Sequence, residues 1–224
     1  EHIKTFGFGG AHCQLTGAIN CALWDLRGQV AGKPVHALLS GDDSSKKVRG
    51  YLAGGYYYGD DGSSAGLKRL QDELRSNVQD LKARSVKIKI GAPSAGIEID
   101  TQRVAASREA IGPDIELMVD ANCAFKDVAT CVAYAKAFEP YDIHWFEEPF
   151  RPDAFDMHRE FVAATSIPVA TGENVSTVPH FHELIGQGSV YWINADVAIL
   201  TGGYDGGLDI WSIAKEASCH LAPH

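Results

Sequence analysis

The chain has 224 residues with 20 Lys and Arg against 29 Asp and Glu, a formal net charge of −9 with histidine neutral. That acidic balance excludes the clustered cationic surface by which proteins bind nucleic acid phosphates or anionic membranes, and a 45% apolar, 22% charged composition is too hydrophobic for a disordered chain. No run approaches the roughly 18 uninterrupted apolar residues of a membrane span, and the opening EHIKTFGFGG lacks a basic-then-apolar signal pattern.

Residues 1–47 read as a helical lead-in. Within them LTGAINCALWDLRGQVAGKPVHALL predicts one helix ending near Gly28, a Gly-Lys-Pro turn and a short second helix, a segment suited to plugging the bottom of a barrel. From residue 48 to 224 a β-like run alternates with a helical stretch. The runs are VRGYLAGG, VKIKIG, IELMVDAN, IHWFEEP, IPVATGEN, VYWINADVAIL and HLAPH. After the first run, Leu67, Leu70, Leu74, Val78 and Leu81 align on one face of a helix. Similar stretches cover 101–111, 127–138, 153–164, 177–185 and 204–217. Strand, helix, strand repeated in this way predicts parallel strands joined by crossover helices, either a closed barrel or an open doubly wound sheet. Seven strands leave an open barrel with an unpaired edge, so a piece of a longer protein is expected.

Polar residues recur at the C-terminal ends of these runs. Lys87 and Lys89 alternate with Val86, Ile88 and Ile90 and so share one face of their strand. Asp120 ends ELMVD and is followed by Asn122; Glu147 and Glu148 end HWF; Glu173 and Asn174 follow VATG. In a parallel barrel every strand exits at one mouth, which is the catalytic face. Three carboxylates gathered there repel one another unless a cation neutralises them. Oxygen donors without His or Cys select a hard ion such as Mg²⁺. The plain alternative for each acid alone is a solvated strand end, and for the lysines an exposed edge strand protected against aggregation. Beside a metal and a second cation, Lys89 is expected to lose its proton readily and act as a base, with Lys87 staying positive to support a negative oxygen.

His224 closes the last run and Asp196 lies in the one before it. An Asp against a ring nitrogen fixes the imidazole tautomer, so this pair is a candidate second acid or base. The other eight histidines read as surface or helix residues by default. Tyr56, Tyr57 and Tyr58 form a loop that either meets a hydroxylated substrate or simply packs. Five cysteines (Cys13, Cys21, Cys123, Cys131, Cys219), odd in number and without CxxC spacing, predict reduced thiols in a cytoplasm.

Taken together these residues resemble the enolase superfamily, in its mandelate racemase and muconate lactonizing branch. GAINCALWDLRGQVAGKPVHALLS is similar to the signature before that barrel, departing at Asn20 and Ser40. KIK at 87–89, DAN at 120–122, EEP at 147–149 and GEN at 172–174 match four successive motifs in order. The resemblance implies a TIM-type (β/α)7β barrel that here lacks the N-terminal α+β capping domain and the last strand. It implies Mg²⁺ on Asp120, Glu147 and Glu173, Lys89 as base with Lys87 beside it, and an Asp196–His224 dyad. Gly202 and Gly203 depart from the family pattern by one residue relative to Asp196, a departure that bears on the dyad alone. No lysine stands at Ile199, Leu200 or Thr201, which favours the racemase-like over the muconate-lactonizing subgroup. The implied activity is removal of the proton α to a carboxylate through an enediolate. Dehydration of an acid sugar to a 2-keto-3-deoxy acid is the leading expectation, with Asn122, Asn174 and Lys87 contacting substrate. Racemisation of a 2-hydroxy acid and an inactive ligand-binding barrel are the alternatives. The expected partner is a small carboxylate, with neither nucleic acid nor membrane, in a homo-oligomer.

Overall fold

The computed structural model describes residues 10–42, 44, 47–198 and 200–224. Residues 1–9, 43, 45 and 46 of the lead-in, and Ile199 of the sixth run, lie outside the described residues. In chain order the elements are α1 (Ala11–Ala31), α2 (Val35–Ser40), β1 (Leu52–Gly54), α3 (Ser64–Gln79), β2 (Ser85–Lys89), α4 (Gly96–Ile111), β3 (Glu116–Asp120), α5 (Val128–Phe138), a 3₁₀ turn (Glu139–Tyr141), β4 (Ile143–Glu147), α6 (Phe155–Ala164), β5 (Val169–Thr171), α7 (Val178–Gly186), β6 (Trp192–Ile193), α8 (Tyr204–Glu216) and β7 (His220–Leu221). The strands follow one another in sequence order from β1 to β7, the ordering of a β/α barrel. No described helix is long and apolar enough to cross a membrane.

The chain divides into two compact units. One, the strand unit, comprises Gly50–Thr171 and Gln187–Trp192. Its strands β1 to β5 pair in parallel, each followed by a helix that returns the chain. Val86 and Ile88 of β2, Leu117 and Val119 of β3 and Phe146 of β4 are fully buried and join Leu70 and Leu74 of α3, Val104 of α4 and Phe161 of α6 in one apolar core. Full burial of each such side chain contributes about 1.5–3 kcal/mol. The helices start where sequence chemistry allows. The Ser63 hydroxyl accepts the Gly66 N–H at 3.0 Å, and the Asp127 carboxylate accepts the Thr130 N–H at 2.7 Å, satisfying donors that helix N-termini leave open. Leu81 departs from the expected apolar face. The chain leaves α3 at Asp80 and turns through Lys82 at φ 60°, so Leu81 stands exposed.

The other unit comprises Glu1–Arg49, Gly172–Gly186 and Ile193–His224, and is mostly helical. Its first helix runs past Gly28, where an end was expected, and stops at Gly32, whose φ of 63° is the left-handed conformation that glycine adopts without penalty. Gly28 is needed for close approach instead, because a Cβ there would sit 2.8 Å from the Lys33 carbonyl oxygen. Asn20 amide nitrogen donates to Asp205 Oδ2 at 2.7 Å and Trp24 Nε1 donates to Asp205 Oδ1 at 3.0 Å, tying α1 to α8. The uncommon residue at position 20 thus has a structural partner.

One buried histidine makes the strand unit sensitive to acid. His158 of α6 is fully buried, its Nδ1–H donates to the Ala154 carbonyl at 2.9 Å, and its ring stands edge-on to Phe150 at 5.3 Å. Nε2 has no hydrogen-bond partner among the described residues. Burial holds its pKa below the ordinary 6.5. A lowered value means that the unfolded chain takes up the proton first, so stability is fully present above about pH 6.5 and is lost as pH falls toward the folded value. Denaturant titrations at about pH 7.5 and about pH 5 should show a smaller acid loss for His158→Leu than for the wild type; equal losses would remove His158 from the account.

Candidate active site

In the strand unit, successive strand ends carry a row of charged side chains. Backbone register pairs Lys89 with Asp120, Asp120 with Glu147, and Glu147 with Ala170. Side chains two residues apart in a strand share a face, so Lys87 lies one step below this row. Lys89 Nζ is 2.6 Å from Asp120 Oδ2, and Lys87 Nζ is 3.3 Å from the same oxygen. Lys87 also donates to Glu147 Oε1. Asp120 and Glu147 are wholly buried and Lys87 is 4% exposed, while the Lys89 side chain keeps 20% of its surface open. Both lysines stand on β2 between β1 and β3, which removes the edge-strand alternative for them.

Burial decides the electrostatics. It raises the Glu147 carboxyl to about 7, and the Asp120 charge adds to the rise, although Lys87 and the Trp145 N–H pull the other way. For Lys87 burial alone would lower the value. The Glu147 and Asp120 charges outweigh it, so its pKa lies above that of an ordinary lysine and it stays an ammonium.

Glu147 has a second donor that sequence reasoning missed. Trp145 Nε1 donates to Glu147 Oε2 at 2.7 Å. A period of two along β4 puts Trp145 on the Glu147 face, and that was the available signal. Glu148, next in line, is also wholly buried but faces elsewhere. Its Oε1 accepts the Thr171 hydroxyl at 2.8 Å, and its Oε2 accepts the Cys123 thiol at 2.9 Å. The loops beyond β3 and β4 are set by left-handed residues, Asn122 at φ 44°, Cys123 at 60° and Glu148 at 45°. Non-glycine residues held there cost about 1–3 kcal/mol each, and such strain gathers at functional sites. The Asn122 side chain is exposed, and its backbone N–H donates to Asp120 Oδ1 at 3.0 Å. Of the three tyrosines, Tyr57 packs, its hydroxyl donating to Asp100 and its ring lying 4.3 Å from the Arg103 guanidinium. Tyr56 and Tyr58 are exposed.

The helical unit brings the remaining candidates together. His224 Nδ1 is 3.5 Å from Asp196 Oδ2 and its Nε2 is 3.4 Å from Glu173 Oε2. The one-residue displacement at Gly202 and Gly203 therefore leaves Asp196 beside His224. Neither lies within a regular strand, although both fall in runs that read as strands. β6 covers only Trp192 and Ile193, and β7 ends at Leu221. The placement comes from backbone pairing beyond them, with Ala222 N–H donating to Ile193 O at 2.9 Å and His224 N–H to Ala195 O at 3.3 Å. Asn174 is exposed and its amide donates to Glu173 Oε1 at 3.3 Å.

The family model described as enolase C-terminal domain-like matches residues 69–224. An arabinonate dehydratase of Saccharolobus solfataricus is 33% identical over 98% of this chain and 57% of its own length. Among solved structures, an enolase from Bradyrhizobium complexed with magnesium and mandelic acid superposes with a TM-score of 0.89 at 28% identity, over 100% of this chain and 58% of that one. An L-talarate dehydratase from Polaromonas sp. JS666, complexed with Mg and L-glucarate, gives 0.84 at 30% identity over 99% and 58%. The chain thus spans less than two thirds of the relatives it matches.

Proposed function

The chain belongs to the enolase C-terminal domain-like family, and on that premise we propose that it takes the proton α to the carboxylate of an acid sugar and expels a β-hydroxyl, giving a 2-keto-3-deoxy acid. The observation that carries this reading is the row itself, two lysine amino groups and two carboxylates packed at strand ends in the strand unit. Asp120, Glu147 and Glu173 are the residues we assign to a divalent cation. The donor chemistry fits, because the set is carboxylate oxygen throughout, the choice of a hard ion such as Mg²⁺. When bound, that ion supplies Lewis-acid stabilisation of charge building on the substrate carboxylate.

The chain's own residues do the rest. Lys89 accepts the α-proton, and the part of its side chain left open keeps it within reach of substrate. Lys87 stays charged and stabilises the negative oxygen that develops in the transition state. His224, oriented by Asp196 at 3.5 Å, gives its proton to the departing β-hydroxyl, which leaves as water. The carbon–carbon double bond formed between the α and β positions then tautomerises to the ketone. Asn122 and Asn174, exposed beside Asp120 and Glu173 in sequence, are assigned to substrate hydroxyls.

Five cysteines without a disulfide among the described residues support a reducing, cytoplasmic setting. Apolar residues that α1 leaves exposed, such as Ile19, Leu23 and Val30, support a homo-oligomer. The catalytic reading is tested by incubating the protein with Mg²⁺ and a panel of acid sugars. Release of 2-keto acid that stops when EDTA is added is the expected result. Solvent deuterium entering the α-position without keto acid would replace dehydration by racemisation, and neither signal in a protein that still binds Mg²⁺ would leave only a ligand-binding barrel.

A further inference from the structure

We propose that Trp145 is a positioning residue whose indole N–H holds the Glu147 carboxylate in the orientation that serves a divalent cation. This rests on the cation reading above. Trp145 is 3% exposed and stands two residues before Glu147 on the same face of β4. Its Nε1 lies 2.7 Å from Glu147 Oε2, while Lys87 donates to Oε1. A different donor on each oxygen leaves the carboxylate one orientation. The indole is itself locked, with the Tyr51 ring 5.3 Å away at 86°, the Trp192 ring 5.3 Å away at 45° and the His144 ring at 5.5 Å.

The two donors differ in what a cation does to them. A lysine ammonium carries full charge and is repelled by a dication at the same carboxylate. An indole N–H is a neutral donor with no acceptor function, so it keeps its bond to Oε2 while the ion takes up the charge. Trp145 is therefore the partner that persists when metal binds. Donors that orient a ligand in this way typically change metal affinity by about 10- to 100-fold when removed.

The test is Mn²⁺ titration of the full chain, followed by electron paramagnetic resonance of the free ion. Trp145→Phe, which keeps a ring but loses the N–H, should raise the Kd for Mn²⁺ about tenfold. Trp192→Phe, which removes the neighbouring indole packed against Trp145, should stay within about twofold of wild type. Wild-type affinity in Trp145→Phe, or an equal loss in both variants, overturns the role of Trp145 alone. A wild-type chain that takes up no Mn²⁺ overturns the cation assignment and this inference with it. A second measurement needs no change at position 145. In the ¹⁵N-labelled wild type, the Trp145 indole resonance, assigned by elimination with Trp24→Phe, Trp192→Phe and Trp211→Phe, should move on Mg²⁺ addition more than the other three. An unmoved resonance counts against the proposal even if Trp145→Phe does not fold.

Discussion

Replacing Lys89 by methionine is expected to lower turnover of an acid sugar by about 10²- to 10⁴-fold, the range a positioned general base contributes. The stem of methionine fills much of the space of the lysine stem, so packing changes little. Asp120 does not lose its cationic neighbour, because Lys87 Nζ stays 3.3 Å from the same oxygen that Lys89 contacts. Divalent cation uptake should therefore survive, and can rise slightly once a competing ammonium is gone. The measurement pairs release of 2-keto acid with loss of deuterium from an α-deuterated substrate, both of which should disappear. A Lys89→Met protein that still exchanges the α-deuteron would assign proton removal to another group.

The opposite pattern is expected for Lys87. Its ammonium serves two wholly buried carboxylates at once, so among the described residues Lys87→Met leaves Asp120 with Lys89 and the Asn122 N–H, and Glu147 with the Trp145 N–H. Removing one partner of a buried ion pair costs about 3–5 kcal/mol, because the remaining charge cannot reach water. The loss should depend on pH. With its folded value raised from 4.5 to about 7, Glu147 takes up a proton on folding, and this contribution is fully present below pH 4.5 and lost as pH rises toward 7. Without Lys87 the carboxyl moves higher still, so the metal-free variant should keep losing stability above that pH. Mg²⁺ at about 100 times its Kd returns about 2.7 kcal/mol by binding only the folded form. Denaturation midpoints with EDTA and with Mg²⁺ across this range decide it. A deficit that neither falls in acid nor shrinks with Mg²⁺ would mean that Lys87 acts through packing.

Much of the architecture was readable because each crossover unit repeats one pattern. Val86 and Ile88 alternating with Lys87 and Lys89 fix a strand with one apolar face and one charged face; the apolar face is buried in the core, and on the charged face Lys87 is buried while Lys89 is partly open. The charged strand ends stood out for the same reason, since acids closing apolar runs are costly without a purpose. What escaped reading depended on contacts remote in sequence. Gly28 looked like a helix end, yet its lack of a side chain admits the Lys33 carbonyl, and the true stop at Gly32 is set by backbone angle. The sixth run reads as a long strand, but among its described residues only Trp192 and Ile193 form one, while Asp196 is held by bonds farther along the chain. Glu148 is indistinguishable in sequence from its twin until a φ of 45° turns the chain and sends it to Thr171 and Cys123.

The register that levels Lys89, Asp120 and Glu147 makes the chemistry tolerant of some accidents and intolerant of others. Each of these groups takes its height from the rung its own strand shares with the next, so lengthening a connecting helix or outer loop resets nothing at the reacting centre. One residue added inside β3 or β4 would swing its carboxylate to the opposite side of the sheet. Drift in length among descendants of this chain should accordingly accumulate in the return segments and be purged from the strands.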